Sequence, residues 1–111
     1  MLALGDATGN ALTAALTATT RWPTDESLWY LLGQVYDQAG QQTYAYYTFV
    51  RAQTLDPTDP GPYLWLGRYA ENAGDYLTAA LDLHIALALR PNGPLAAQAQ
   101  TLLAPLASIT A

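Results

Sequence analysis

The chain has no cysteine and no lysine, a single histidine, His84, and only two serines, Ser27 and Ser108. Each shortage removes a class of chemistry. Without cysteine there is no disulfide framework, and cysteine usage points to no compartment. Without lysine there is no nucleotide-binding phosphate loop, which needs that amine on the phosphates. A Ser-His-Asp or Cys-His centre has almost no material to draw on, and no cluster has zinc-type spacing. The sequence therefore predicts a protein that is not an enzyme and that uses no cofactor or metal.

Charge is scarce too. Charged residues make up 12% of the 111, against roughly 25% in an ordinary soluble domain. Arg21, Arg51, Arg68 and Arg90 stand against nine carboxylates, a net charge of −5. That balance argues against nucleic acid or anionic lipid as the main ligand, because both call for a basic patch. The opening "MLALGDATG" lacks a positive region, and its apolar run stops at Gly5-Asp6, unlike a secretory signal. Residues 91 to 111 are uncharged, but Pro91, Pro94 and Pro105 rule out a spanning helix there. The expectation is a cytoplasmic chain with no transmembrane segment; indirect attachment to a membrane complex stays open.

What the chain does have is punctuation. "WPTD" at 22, "DPTDPGP" at 56 and "RPNGP" at 90 come at nearly even intervals, with Gly40 and Gly74 between them. The intervening segments place apolar residues at helical spacing, as in Leu28, Leu31, Leu32, Val35 and Tyr36. The pattern predicts helices near 7–20, 26–39, 43–55, 60–73, 76–89 and 94–104. Asp25 and Asp59 are placed to cap two of them, Pro60 suits a first helical position, and Asp75 begins another.

Shifting the sequence by 34 residues superposes Leu32-Gly33 on Leu66-Gly67, Ala39-Gly40 on Ala73-Gly74, and Ala45 on Ala79. Ala52 then falls on Ala86, Leu55 on Leu89 and Pro57 on Pro91. Repeats of this length are helical hairpins that share a core with their neighbours. The small residues mark places where two helix backbones approach, and the large ones fill the space around them. Gly40 and Gly74 permit the left-handed conformation that ends a helix.

Residues 26 to 59 resemble one tetratricopeptide repeat, through Trp29, Leu32, Gly33, Tyr36, Ala45, Phe49, Ala52 and Pro57. Residues 60 to 93 are similar, with Tyr63, Ala70 and Leu83 in place of the tryptophan, tyrosine and phenylalanine. The resemblance implies an all-α fold, an α-solenoid of antiparallel helix hairpins in a single domain. A leading half repeat covers 6–25, repeats cover 26–59 and 60–93, and a capping helix covers 94–111. It also implies a concave groove for a partner peptide or helix. That groove would be lined by Ser27, Tyr30, Gln34, Asp37 and Gln38, then Leu64, Arg68, Glu71 and Asn72, then Gln98.

For Arg68 the alternatives are a ligand role and a local pairing with Glu71 or Asn72. The lysines and asparagines with which some family members clamp a terminal carboxylate are absent; Gln34 stands where the first asparagine would be. Glu71 and Asp75 as an acid–base pair are set aside, since nothing in the sequence separates their acidities. His84 falls where the family's second helix faces solvent.

On the convex side the family normally shows charge. Here Tyr44 and Tyr47, then Leu77, Leu81 and Ile85, occupy outward places. A helix that is apolar most of the way round expects to be covered, by a partner or by self-association. The functional expectation is a non-catalytic protein–protein interaction module, a scaffold, assembly factor or structural subunit of a larger complex. Two alternatives are a transient adaptor reading a peptide in the groove, and a piece of a longer repeat protein.

Overall fold

The computed structural model describes residues 4–110, and among them it contains helices and no strand. Six main helices run α1 Leu4–Arg21, α2 Glu26–Gln38, α3 Gln42–Leu55, α4 Pro60–Asn72, α5 Tyr76–Leu89 and α6 Pro94–Leu103. A 3-10 turn, Ala104–Leu106, and a short α7, Ala107–Thr110, follow. The chain divides into two compact units, one up to Asp56 and one from Pro57. In the first, α1 packs on α2 and α2 on α3; in the second, α4 packs on α5, and α6 on both. Consecutive helices thus form hairpins within each unit.

The hairpins start and stop on side chains one repeat apart. Asp25 caps α2, its carboxylate accepting from the Ser27 N–H at 3.1 Å; Asp59 caps α4 in the same way, accepting from Gly61 N–H at 3.0 Å. Asp75 accepts from Thr78 N–H at the start of α5. Each satisfies a donor that the first helical turn leaves without a partner. α2 and α4 end alike. Gly40 and Gly74 take φ of +77° and +81°, and the next residues, Gln41 and Asp75, each donate at 2.9 Å to the carbonyls of Tyr36 and Ala70. These are Schellman closures, which need a residue that tolerates the left-handed region.

Inside each hairpin the helices meet at a glycine. A methyl group on Gly33 would lie 2.6 Å from Phe49 Cε1, and one on Gly67 would lie 2.9 Å from Leu83 Cγ. Phe49 and Leu83 are both fully buried, as are Ala45, Ala52, Ala79 and, all but completely, Ala86. In the second unit Leu64, Ala80, Leu83, Ala99 and Leu106 complete one core, with Leu95, Leu102 and Leu103 packed against it.

Two boundaries differ from expectation, and one helix start is capped differently from its counterparts. α1 begins at Leu4, ahead of the expected start near residue 7, and runs through Gly9. Its threonines are accommodated by bonding within the helix: the hydroxyls of Thr13, Thr17 and Thr20 donate to the carbonyls of Gly9, Thr13 and Leu16 at 2.9–3.0 Å. α6 begins at Pro94 as expected, but its N-cap position is Gly93, at φ +98° with no side-chain cap, where the earlier copies have aspartate. The capping segment is also not one helix. Pro105 lacks an N–H and crowds the preceding turn, so the chain tightens into the 3-10 turn before α7 begins.

Candidate interaction surfaces

The first-helix residues expected to line a groove differ in exposure. In the first unit Tyr30 is half-buried, its ring 5.7 Å from that of Phe49. Gln34 and Asp37 are half-buried and Gln38 is exposed, as is Ser27, whose hydroxyl donates to Asp25 at 2.6 Å. In the second unit Leu64 is a correction: only 3% exposed, it belongs to the core and offers nothing to a partner. Packing against Ala79, Ala80 and Leu83 of α5 and Ala99 of α6 decides this, and helical spacing alone does not reveal it. Arg68 and Asn72 are exposed, and Glu71 is half-buried with its Oε2 atom out of contact with solvent.

The structure does bring Arg68 and Gln98 together. With Ala97, Thr101 and Leu102 they line an open cleft of about 360 Å³ on α4 and α6. Arg68 is held there by stacking: its guanidinium carbon lies 4.8 Å from the centre of the Trp65 ring. Neither alternative weighed for this arginine included that contact. The same pairing recurs with Arg21 over Trp22 at 5.1 Å and Arg51 over Trp29 at 5.6 Å. Three of the four arginines therefore sit on the three tryptophans of the chain. A second open cleft, of about 450 Å³, runs beside α1 along Thr13, Leu16, Thr17, Thr20 and Arg21; periodicity gave no sign of it.

The second helices expose large apolar side chains. On α3, Tyr44 and Tyr47 are 60% and 67% exposed. Tyr44 stacks on Tyr36 at 5.4 Å, and Tyr47 meets Tyr46 edge-on at 5.2 Å. On α5, Leu77, Leu81 and Ile85 are all exposed, and Leu89, which sequence reasoning did not single out, continues the row. Four-residue steps keep these side chains on one line along the helix.

Asp82 borders that line and was also missed. It stands one repeat after Thr48, a buried residue whose hydroxyl donates to the Tyr44 carbonyl at 2.6 Å. An ionised carboxylate cannot donate in this way. Burial, and secondarily the nearby Asp75 carboxylate, push the Asp82 carboxyl up from 3.8 to about 6. His84, on the other flank of the row, is exposed.

Among the described residues no group of three His, Asp or Glu side chains is placed to hold a metal ion, and no helix is long and apolar enough to cross a membrane. No protein-family model matches the chain, and no curated protein matches it.

Proposed function

We propose that this chain is a non-catalytic protein–protein interaction module of the tetratricopeptide kind, serving as a scaffold, assembly factor or small structural subunit of a larger complex. The observation that carries the reading is the exposure of Tyr44, Tyr47, Leu77, Leu81 and Ile85 on second helices. Large apolar side chains in contiguous rows lose favourable burial unless something covers them, and tyrosine is a frequent anchor at interfaces. Scarce charge, at 12% of residues, supports the same view. The tetratricopeptide assignment is supported by the 34-residue register in which caps, closing glycines and close-approach glycines recur.

The test is affinity purification from the native source with Tyr44, Tyr47 and Leu81 replaced together by serine. The triple variant should fold and lose its complex. Unchanged co-purification would refute a role for these faces. A transient adaptor is the second reading, favoured by the cleft that joins Arg68 and Gln98. In that case Arg68→Ala with Gln34→Ala weakens a peptide interaction and leaves complex membership intact.

A further inference from the structure

The row Leu77, Leu81, Ile85 and Leu89 is a ridge, not a scatter of exposed residues. It extends about 18 Å along α5. Ridges made of every fourth residue are the elements that two helices interleave when they pack. A second helix with its own apolar row is therefore the shape that fits.

Charge decides which helix. Between its cap and its end, α5 carries Tyr76 in its first turn and then Asp82 and His84 as its titratable side chains, with Asp75 at the cap. Asp82 lies three residues from Ile85 and four from Thr78, on the border between the ridge and the buried face. The first repeat fills this place with a threonine that satisfies itself on its own helix. The second fills it with a carboxylate that cannot, partly desolvated and repelled by Asp75.

The chain is poorly equipped to supply the missing cation. It has no lysine, and Arg21, Arg51 and Arg68 are stacked on tryptophans. Arg90, the C-cap of α5, stands eight residues on, a helical rise of about 12 Å. An acidic chain with an unmatched carboxylate beside an apolar ridge is complementary to a basic helix, and mismatched to a second copy of itself.

We propose that the outer face of α5 docks a basic amphipathic helix of a partner protein, with an arginine or lysine of that helix set against Asp82. The proposal rests on the reading that second-helix faces bind partners, and it names the partner's chemistry.

The probes are a synthetic amphipathic helix with leucines along one face bordered by arginines, and its twin with glutamates in place of the arginines. The arginine peptide should bind at least about tenfold more tightly than its twin. Leu81→Ser and Asp82→Asn should each weaken it by about tenfold, and added salt should weaken the wild type more than Asp82→Asn. Asp25→Asn removes the same charge from a cap that asparagine also fills, and should leave binding unchanged. Equal weakening by Asp25→Asn would mean attraction to the overall acidic charge, and would overturn the proposal. So would equal binding of the two peptides. A dimer seen by light scattering and dissolved by Leu81→Ser would assign the face to a second copy instead. If Leu81→Ser releases the native complex while Asp82→Asn and the peptide swap change nothing, the partner-surface reading stands and the basic helix falls. If neither variant affects complex or peptide, both fall.

Discussion

The hairpin α2–α3 and the hairpin α4–α5 meet the same mechanical demands with different side chains. Trp29 reaches back with its indole N–H to the Pro23 carbonyl at 2.8 Å. One repeat later Tyr63 does the same with its hydroxyl, to the Pro57 carbonyl at 3.1 Å. Both rings fasten the start of a first helix to the proline turn before it, so tyrosine replaces tryptophan without loss of the contact. Phe49 against Gly33 becomes Leu83 against Gly67. The helix ends are also matched: Asp56 and Arg90, opposite in charge, take nearly identical backbone angles and donate to Ala52 and Ala86 at 3.0 and 3.1 Å. Geometry is held constant between the units and chemistry is allowed to drift. The pair Thr48 and Asp82 is where the drift has a cost.

The comparison can be broken most forcefully at the filled seams. Phe49→Ala should cost about 3–5 kcal/mol and Leu83→Ala about 2–5, read by denaturant unfolding. A Phe49→Ala effect under 1 kcal/mol would mean that the first seam collapses around the gap. Next comes the glycine itself. Gly33→Ala sets a methyl against an aromatic ring at 2.6 Å, whereas Gly67→Ala meets a branched aliphatic at 2.9 Å that can change rotamer. Both overpack, within about 1–3 kcal/mol, with Gly33→Ala the larger. Pairing Gly33→Ala with Phe49→Leu, which copies the second unit, should recover part of the loss.

At Asp82 the effect has a pH signature. The folded carboxyl, near 6, holds a proton that the unfolded chain, with an ordinary value of 3.8, has already released. Stability from this group is complete at low pH and is lost as pH rises through about 6. Asp82→Thr, the first unit's own solution, should therefore leave stability little changed below about pH 4. Above the transition it should add about 1 kcal/mol, since partial exposure screens much of the shift. A gain independent of pH would show that packing, and not charge, separates the two repeats. The smallest effect is expected at the proline turn. Trp29→Phe and Tyr63→Phe should each lose about 1 kcal/mol, the worth of one hydrogen bond, with Trp29→Phe also giving up its contact with Arg51.

Much of this fold was legible because the repeat writes its constraints in residues that have few substitutes. Glycine at Gly33, Gly40, Gly67 and Gly74 and aspartate at Asp25 and Asp59 fixed the hairpin register. Exposure was harder to read. Leu64 occupies the register place of Tyr30, yet it is buried because α5 and α6 close over it, and no spacing within α4 carries that information. Trp65 and Arg68 stand three apart on one helix, a spacing that permits a stack without requiring it. Asp82 was overlooked because one acid in an apolar helix looks like ordinary surface until its place is compared with Thr48. The break at Pro105 was available in principle: the proline was noted as a bar to a membrane span, but not as a boundary inside the cap.

The arginine–tryptophan stacks have a practical consequence. Trp22 and Trp29 lie in the first unit and Trp65 in the second, and each indole has a guanidinium within 6 Å of its ring. Indole emission responds to the field and hydration around the ring, so each stack is a built-in optical probe of its own neighbourhood. Replacing Trp65 by phenylalanine silences the second unit and leaves the first visible; replacing Trp22 and Trp29 does the reverse. Two such variants, melted side by side, would reveal whether the hairpins come apart together or one after the other, with no dye attached to the protein.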